Sequence, residues 1–128
     1  MEAIRALIID DNQNNIHVLE EMLSMEGVET IKISDPTLLA KMYDQLPTIH
    51  IVFLDLELPR LNGYEVFNQL RTLKAFEYVP VVAYTVHVSE LEATRKLGFH
   101  SFLAKPLDLD LFPEQLALIL QGEHVWAA

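Results

Sequence analysis

Five side chains able to do chemistry follow hydrophobic runs of the kind that build buried strands. Asp10 and Asp11 come after "AIRALII", Asp55 after "HIVFL", Thr85 after "PVVAY" and Lys105 after "SFLA". A charge at the end of a buried strand is costly unless it has a task, and a second acid, Glu57, stands two residues beyond Asp55. Three carboxylates gathered at one place cannot all stay ionised without relief, either from raised pKa values or from a bound cation. An all-oxygen acidic cluster in a chain without cysteine favours Mg²⁺, which keeps several waters and accepts phosphate oxygens. A carboxylate held beside that ion can attack a phosphoryl group while metal and lysine neutralise the equatorial oxygens. Asp55 is the nucleophile of choice, Lys105 the counter-charge, and Thr85 a hydroxyl whose rotamer can report phosphorylation.

These residues meet only if the elements that carry them are neighbours. Five β-like runs, 3–9, 28–33, 50–54, 80–84 and 101–104, alternate with helical patterns. The first, third and fourth are mostly apolar, as in strands covered by helices on both faces. Helix one carries Ile16, Leu19, Met22 and Leu23. Asp35-Pro36 caps helix two, with Leu38, Leu39 and Met42. Helix three follows Gly63 with Val66, Phe67, Leu70 and Leu73, the capping box Ser89/Glu92 opens helix four, and Asp110 caps helix five with Leu111, Leu116 and Ile119 or Leu120. Met22, Met25 and Met42 read as core. Five β-α repeats predict an α/β fold: a doubly wound, five-stranded parallel sheet with right-handed crossovers, its ligands bound beyond the carboxyl ends of the strands.

The chain has 128 residues, 51% of them hydrophobic, which is enough for one cored domain. We place that domain at 1–122 and a short tail at 123–128, with Trp126 folding back onto the body. The formal charge of −10 repels nucleic-acid backbones and anionic membranes and favours a basic or polar protein partner. No apolar run approaches the ~20 residues that span a bilayer and no signal peptide opens the chain, so a cytoplasmic location is expected. The five histidines include no pair at metal-ligand spacing with a third ligand.

In their order and spacing, "LIIDDN", "FLDLELPRLNGYEVF", "VVAYT" and "FLAKP" resemble the response-regulator receiver domains of two-component signalling, over essentially the whole chain. The resemblance implies a (βα)₅ flavodoxin-like fold in which Asp55 accepts a phosphoryl group from a histidine kinase or phosphotransfer protein. It further implies that Asp11 and Asp55 ligate Mg²⁺ directly, Asp10 largely through water, and the Glu57 backbone carbonyl completes the site. Thr85 then becomes the switch hydroxyl, Phe102 the aromatic switch residue and Lys105 the phosphate partner, while Pro106 matches a position where a cis Lys-Pro bond is frequent. The output is a downstream protein contact at the helix-four to strand-five face, also the usual homodimer surface, and the chain is a phospho-acceptor rather than an enzyme. A stand-alone regulator is expected, with a relay intermediate or one part of a longer chain as the alternatives.

Three features depart from the commonest receiver pattern. Val86 stands where alanine or glycine is usual and narrows access to Asp55. Glu57 and His87 occupy the two positions that tune the lifetime of the phosphoryl group. The segment from Thr85 to Gly98 is about two residues short, which predicts an altered partner face or a distorted fourth helix. Two other functions stand beside the leading one. A pseudo-receiver would bind partners without phosphorylation. A haloacid-dehalogenase-like phosphatase is echoed in Asp55-Leu56-Glu57, but its second acid should be Asp and the chain leaves no room for a cap domain.

Overall fold

The computed structural model describes residues 3–58 and 62–128. Part of the motif read above, Pro59, Arg60 and Leu61, lies outside them. The strands are β1 (Arg5–Ile9), β2 (Glu29–Ile33), β3 (Ile51–Asp55), β4 (Val81–Thr85), β5 (Ser101–Ala104) and β6 (Trp126–Ala127); the helices are α1 (Gln13–Met25), α2 (Leu39–Met42), α3 (Gly63–Thr72), α4 (Leu91–Leu97) and α5 (Phe112–Leu120). The strands lie in the order β2-β1-β3-β4-β5-β6 and all pair in parallel.

Side-chain alternation along the central strands divides the core between two faces. Ala6, Ile8, Ile51, Phe53, Val82, Tyr84 and Leu103 meet Ile16, Leu19, Met22 and Leu23 of α1 and Phe112, Leu116 and Ile119 of α5. Leu7, Ile9, Val52, Leu54, Ala83 and Phe102 point the other way, onto Leu39 of α2 and Val66, Phe67 and Leu70 of α3. Burying each large aliphatic side chain contributes roughly 1.5–3 kcal/mol, so both layers clamp the sheet and fix the register of its carboxyl edge.

The predicted five-stranded sheet is corrected to six strands. Gly122, at φ +97°, turns the chain out of α5, and the tail then runs back along β5. The Phe102 N–H donates to the Val125 carbonyl at 2.8 Å, and the Val125 N–H donates to Ser101 Oγ at 2.9 Å. An edge strand leaves one row of backbone groups unpaired, and β6 satisfies part of that row. Trp126 is half-buried and lies under the Arg95 guanidinium of α4, 4.9 Å from its ring centroid.

Several helix ends also differ from expectation. Asp35 does cap the second helical segment, accepting the Thr37 N–H at 3.0 Å, but that segment is broken: a 3₁₀ turn over Pro36–Leu38, four residues of α2, and a second 3₁₀ turn over Tyr43–Gln45. Ser89 and Glu92 form no capping box, because a 3₁₀ turn over Val88–Glu90 runs straight into α4 with no side-chain cap. Asp108 takes the role assigned to Asp110: its carboxylate accepts the N–H of Asp110 at 2.8 Å and of Leu111 at 3.3 Å. Met25 is 69% exposed rather than core, since it ends α1 beyond the apolar stripe, whereas Met22 is buried. The seven-residue α4 is short, in keeping with the trimmed segment before Gly98.

Candidate functional site

Strand order brings the carboxyl ends of β1, β3, β4 and β5 side by side, and the side chains singled out in the sequence follow. Asp10 leaves β1 with its N–H held by the Ile33 carbonyl at 3.2 Å, and its Oδ1 accepts the Asn12 N–H at 2.9 Å. Asn12 in turn caps α1 by accepting the Asn15 N–H at 3.0 Å, so the acid pair and the first helix share one turn. Asp55 is the last residue of β3, and its Oδ1 accepts the Glu57 N–H at 3.1 Å. The chain then turns back past Gly63, whose N–H donates to the Leu56 carbonyl at 3.1 Å. A Cβ at Gly63 would stand 2.5 Å from the Leu56 Cα and 2.8 Å from the Asp55 carbonyl oxygen, so only glycine permits this approach.

Lys105 is fixed by its N–H, which donates to the Thr85 carbonyl at 2.9 Å, and the Lys105–Pro106 bond is cis. Its ammonium reaches into the cleft and lies 3.3 Å from Asp10 Oδ2 and 3.5 Å from Asp55 Oδ1. Asp10 and Asp55 are buried at 0% and 5% exposure, while Asp11 is exposed. Among the described residues these three acids form one cluster, offering carboxylate oxygens all within 4.8 Å of one another. Burial is the main reason the Asp55 carboxyl is pushed up to about 7; Lys105 opposes the rise and Asp10 reinforces it. A hard divalent cation fits this set, because it relieves the repulsion with oxygen ligands alone.

The cleft over the cluster has a volume of about 490 Å³, and Asp11, Asp55, Glu57, Thr85, Val86 and Lys105 are among its walls. Thr85 is buried at the end of β4, and its Oγ1 accepts the His87 N–H at 3.2 Å. Val86 is 58% exposed at the rim. The side chains of Glu57 and His87 meet, linking the ends of β3 and β4. Phe102 is elsewhere: it is wholly buried in the core, between Ala83 of β4 and Trp126 of β6. A cavity of about 500 Å³ at the opposite edge of the sheet, beside His50, Lys74 and His100, has no carboxylate among the described residues of its walls.

Sequence reasoning missed Tyr84. Its hydroxyl donates to Asp10 Oδ2 at 2.6 Å, and its ring centroid lies 4.2 Å from the Lys105 ammonium. Burial and the adjacent Asp10 hold this phenol far above its ordinary pKa, so it stays a donor. In the sequence it reads as one more apolar strand residue, the last of "PVVAY". The available signal was that a buried tyrosine hydroxyl needs a partner, and strand alternation puts Tyr84 on the face it shares with Ile8, next to Asp10.

Comparison with known proteins agrees with this geometry. Residues 6–117 match the response regulator receiver domain, and the chain belongs to that family. It is 29% identical to stress response regulator protein 1 of Clavispora lusitaniae, over 80% of this chain and 56% of that one, and 33% identical to the response regulator PleD of Caulobacter vibrioides, over 81% of this chain and 23% of that one. The chain therefore spans little more than half of one curated relative and under a quarter of the other. Among solved structures it is similar to the receiver domain of the sensor histidine kinase PA1611 of Pseudomonas aeruginosa PAO1, described with a magnesium ion coordinated in the active-site cleft. The TM-score is 0.75 at 26% identity, over 94% of this chain and 96% of that one. The chain is thus a receiver domain with a flavodoxin-like α/β fold, and no helix among the described residues is long and apolar enough to cross a membrane.

Proposed function

We propose that this receiver domain accepts a phosphoryl group on Asp55 from a histidine kinase or a histidine phosphotransfer protein and passes the change to a protein partner. The observation that carries this reading is the placement of one lysine ammonium between the two buried carboxylates, 3.3 Å from Asp10 and 3.5 Å from Asp55, in the wall of a cleft of about 490 Å³. An Asp55 oxygen attacks phosphorus, a P–O bond forms, and the P–N bond to the donor histidine breaks. Lys105 neutralises the phosphoryl oxygens that arrive beside it, and Thr85 donates its hydroxyl proton to one of them.

Mg²⁺ would be held by Asp11 and Asp55, by the backbone carbonyl of Glu57, and by Asp10 through water, since the oxygens of Asp10 already accept protein donors. When bound, it supplies charge neutralisation at the phosphoryl oxygens. Glu57 and His87, paired across the cleft, set how readily water reaches the acyl phosphate, and Val86 sets the width of the rim. The chemistry ends on the protein itself, so the chain is a phospho-acceptor and turns over no separate substrate. Its −10 charge favours protein over nucleic-acid partners, and the cytoplasm is its proposed compartment. Output passes through α4 and β5 with Phe102 as the aromatic that senses Thr85. Any homodimer built there has to accommodate β6, which lies on the outer edge of β5.

The test is intact mass after incubation with acetyl phosphate and Mg²⁺, for the wild type and for Asp55→Asn. One added phosphoryl group in the wild type alone is the expected result. An equal gain in Asp55→Asn, or none in the wild type with either acetyl phosphate or a phosphorylated histidine donor, overturns the reading.

A further inference from the structure

Asp10 is fully buried, and its two oxygens share their partners unevenly. Oδ1 accepts one backbone N–H, from Asn12, whereas Oδ2 accepts both the Tyr84 hydroxyl at 2.6 Å and the Lys105 ammonium at 3.3 Å. The same ammonium lies 3.5 Å from Asp55 Oδ1 and against the Tyr84 ring. One cation thus serves two carboxylates and an aromatic face. If Asp55 is the phospho-acceptor, on which reading this inference rests, the ammonium must turn from Asp10 toward the new phosphoryl oxygens. Asp10 then faces Mg²⁺ only through water, and a buried carboxylate that loses its one direct cation is penalised, a penalty that would fall on the phosphorylated state.

The Tyr84 hydroxyl has no reason to move with the lysine. Its ring is 1% exposed, packs edge-on against Phe53 at 6.3 Å and 85°, and sits in the core layer between the sheet and helices α1 and α5. We propose that Tyr84 is a positioning residue: its hydroxyl keeps Asp10 paired while Lys105 gives its charge to the phosphoryl group, and its ring is the surface along which the ammonium turns. No bond is made or broken at the phenol oxygen, and no proton leaves it. The role belongs to this chain's own tyrosine in the position before Thr85.

Tyr84→Phe removes the hydroxyl and keeps the ring. The probe is fluoroberyllate, a stable mimic of a phosphoryl group on a carboxylate, titrated calorimetrically into protein saturated with Mg²⁺. Tyr84→Phe should bind it about tenfold more weakly than the wild type, the worth of one hydrogen bond to a charged group, while Mg²⁺ affinity measured without the mimic changes less than about threefold. A general disturbance of packing would move both affinities together. In an Asp10→Asn background, where no charge needs to stay paired, the same substitution should change mimic affinity less than about twofold. Unchanged mimic affinity in Tyr84→Phe, or equal losses of mimic and Mg²⁺ affinity, overturns the proposal. A wild type that binds no mimic and takes no phosphoryl group overturns the phospho-acceptor reading and this inference with it; a wild type that binds the mimic beside an indifferent Tyr84→Phe removes only the role of Tyr84.

Discussion

Asp55 is held in two conflicting ways. Burial and Asp10 disfavour its charge more than Lys105 favours it, so the folded, metal-free carboxyl lies at about 7 against an ordinary 3.8. Between those two pH values the folded state binds more protons than the unfolded state, and the contribution of this group to stability falls as pH rises through that window. The metal-free wild type should therefore become less stable relative to Asp55→Asn as pH rises from 5 to 8, by about 1–3 kcal/mol in urea titrations. Mg²⁺ must displace the proton, so its affinity should rise about tenfold from pH 6 to pH 8. Parallel stability curves for the two proteins, or a flat Mg²⁺ affinity, would contradict this. The acids, threonine and lysine were legible from sequence because each interrupts an apolar run at its end. Tyr84 was not, because strand composition counts it as apolar and only the three-dimensional register places its hydroxyl on Asp10.

At the scale of elements, the site depends on the turn that leads from β3 into α3. Gly63 packs directly on the backbone of Asp55 and Leu56, and Asn62 caps α3 by accepting the Glu65 N–H at 3.0 Å. Gly63→Ala must push that backbone apart, which should cost about 2–4 kcal/mol and also weaken Mg²⁺ binding, because the displaced atoms belong to the loop proposed to hold the metal. Loss of stability by thermal melting without loss of Mg²⁺ affinity by calorimetry would show that the turn is only structural. Five strands and the presence of α1 and α3 could be read from their periods. The start of α4 could not: Ser89 and Glu92 have capping-box spacing, but the shortened segment after Thr85 enters the helix through a 3₁₀ turn that uses backbone bonds instead. The sixth strand was illegible for a simpler reason, since two residues carry no period.

Across the whole molecule, the C-terminal segment adds a strand beside the face proposed for output. The tail covers the outer edge of β5 beside Phe102, and Trp126 ties it to α4 through Arg95. Trp126→Ala should cost about 1–2 kcal/mol from lost burial and cation–π contact and should speed hydrogen exchange at the Phe102 amide, whose acceptor is the Val125 carbonyl. Unchanged protection of that amide would mean that the tail holds its place without the tryptophan. The chemistry proposed for the site rests on a single bond between Asp55 and phosphorus. The measurement that tests it most directly is borohydride reduction of the phosphorylated protein followed by peptide mapping, which converts an aspartyl phosphate to homoserine. The account predicts homoserine at position 55 and at no other acid, Asp10 and Asp11 included; homoserine elsewhere, or a phosphoryl group that survives reduction as an ester or phosphoramidate, would contradict it.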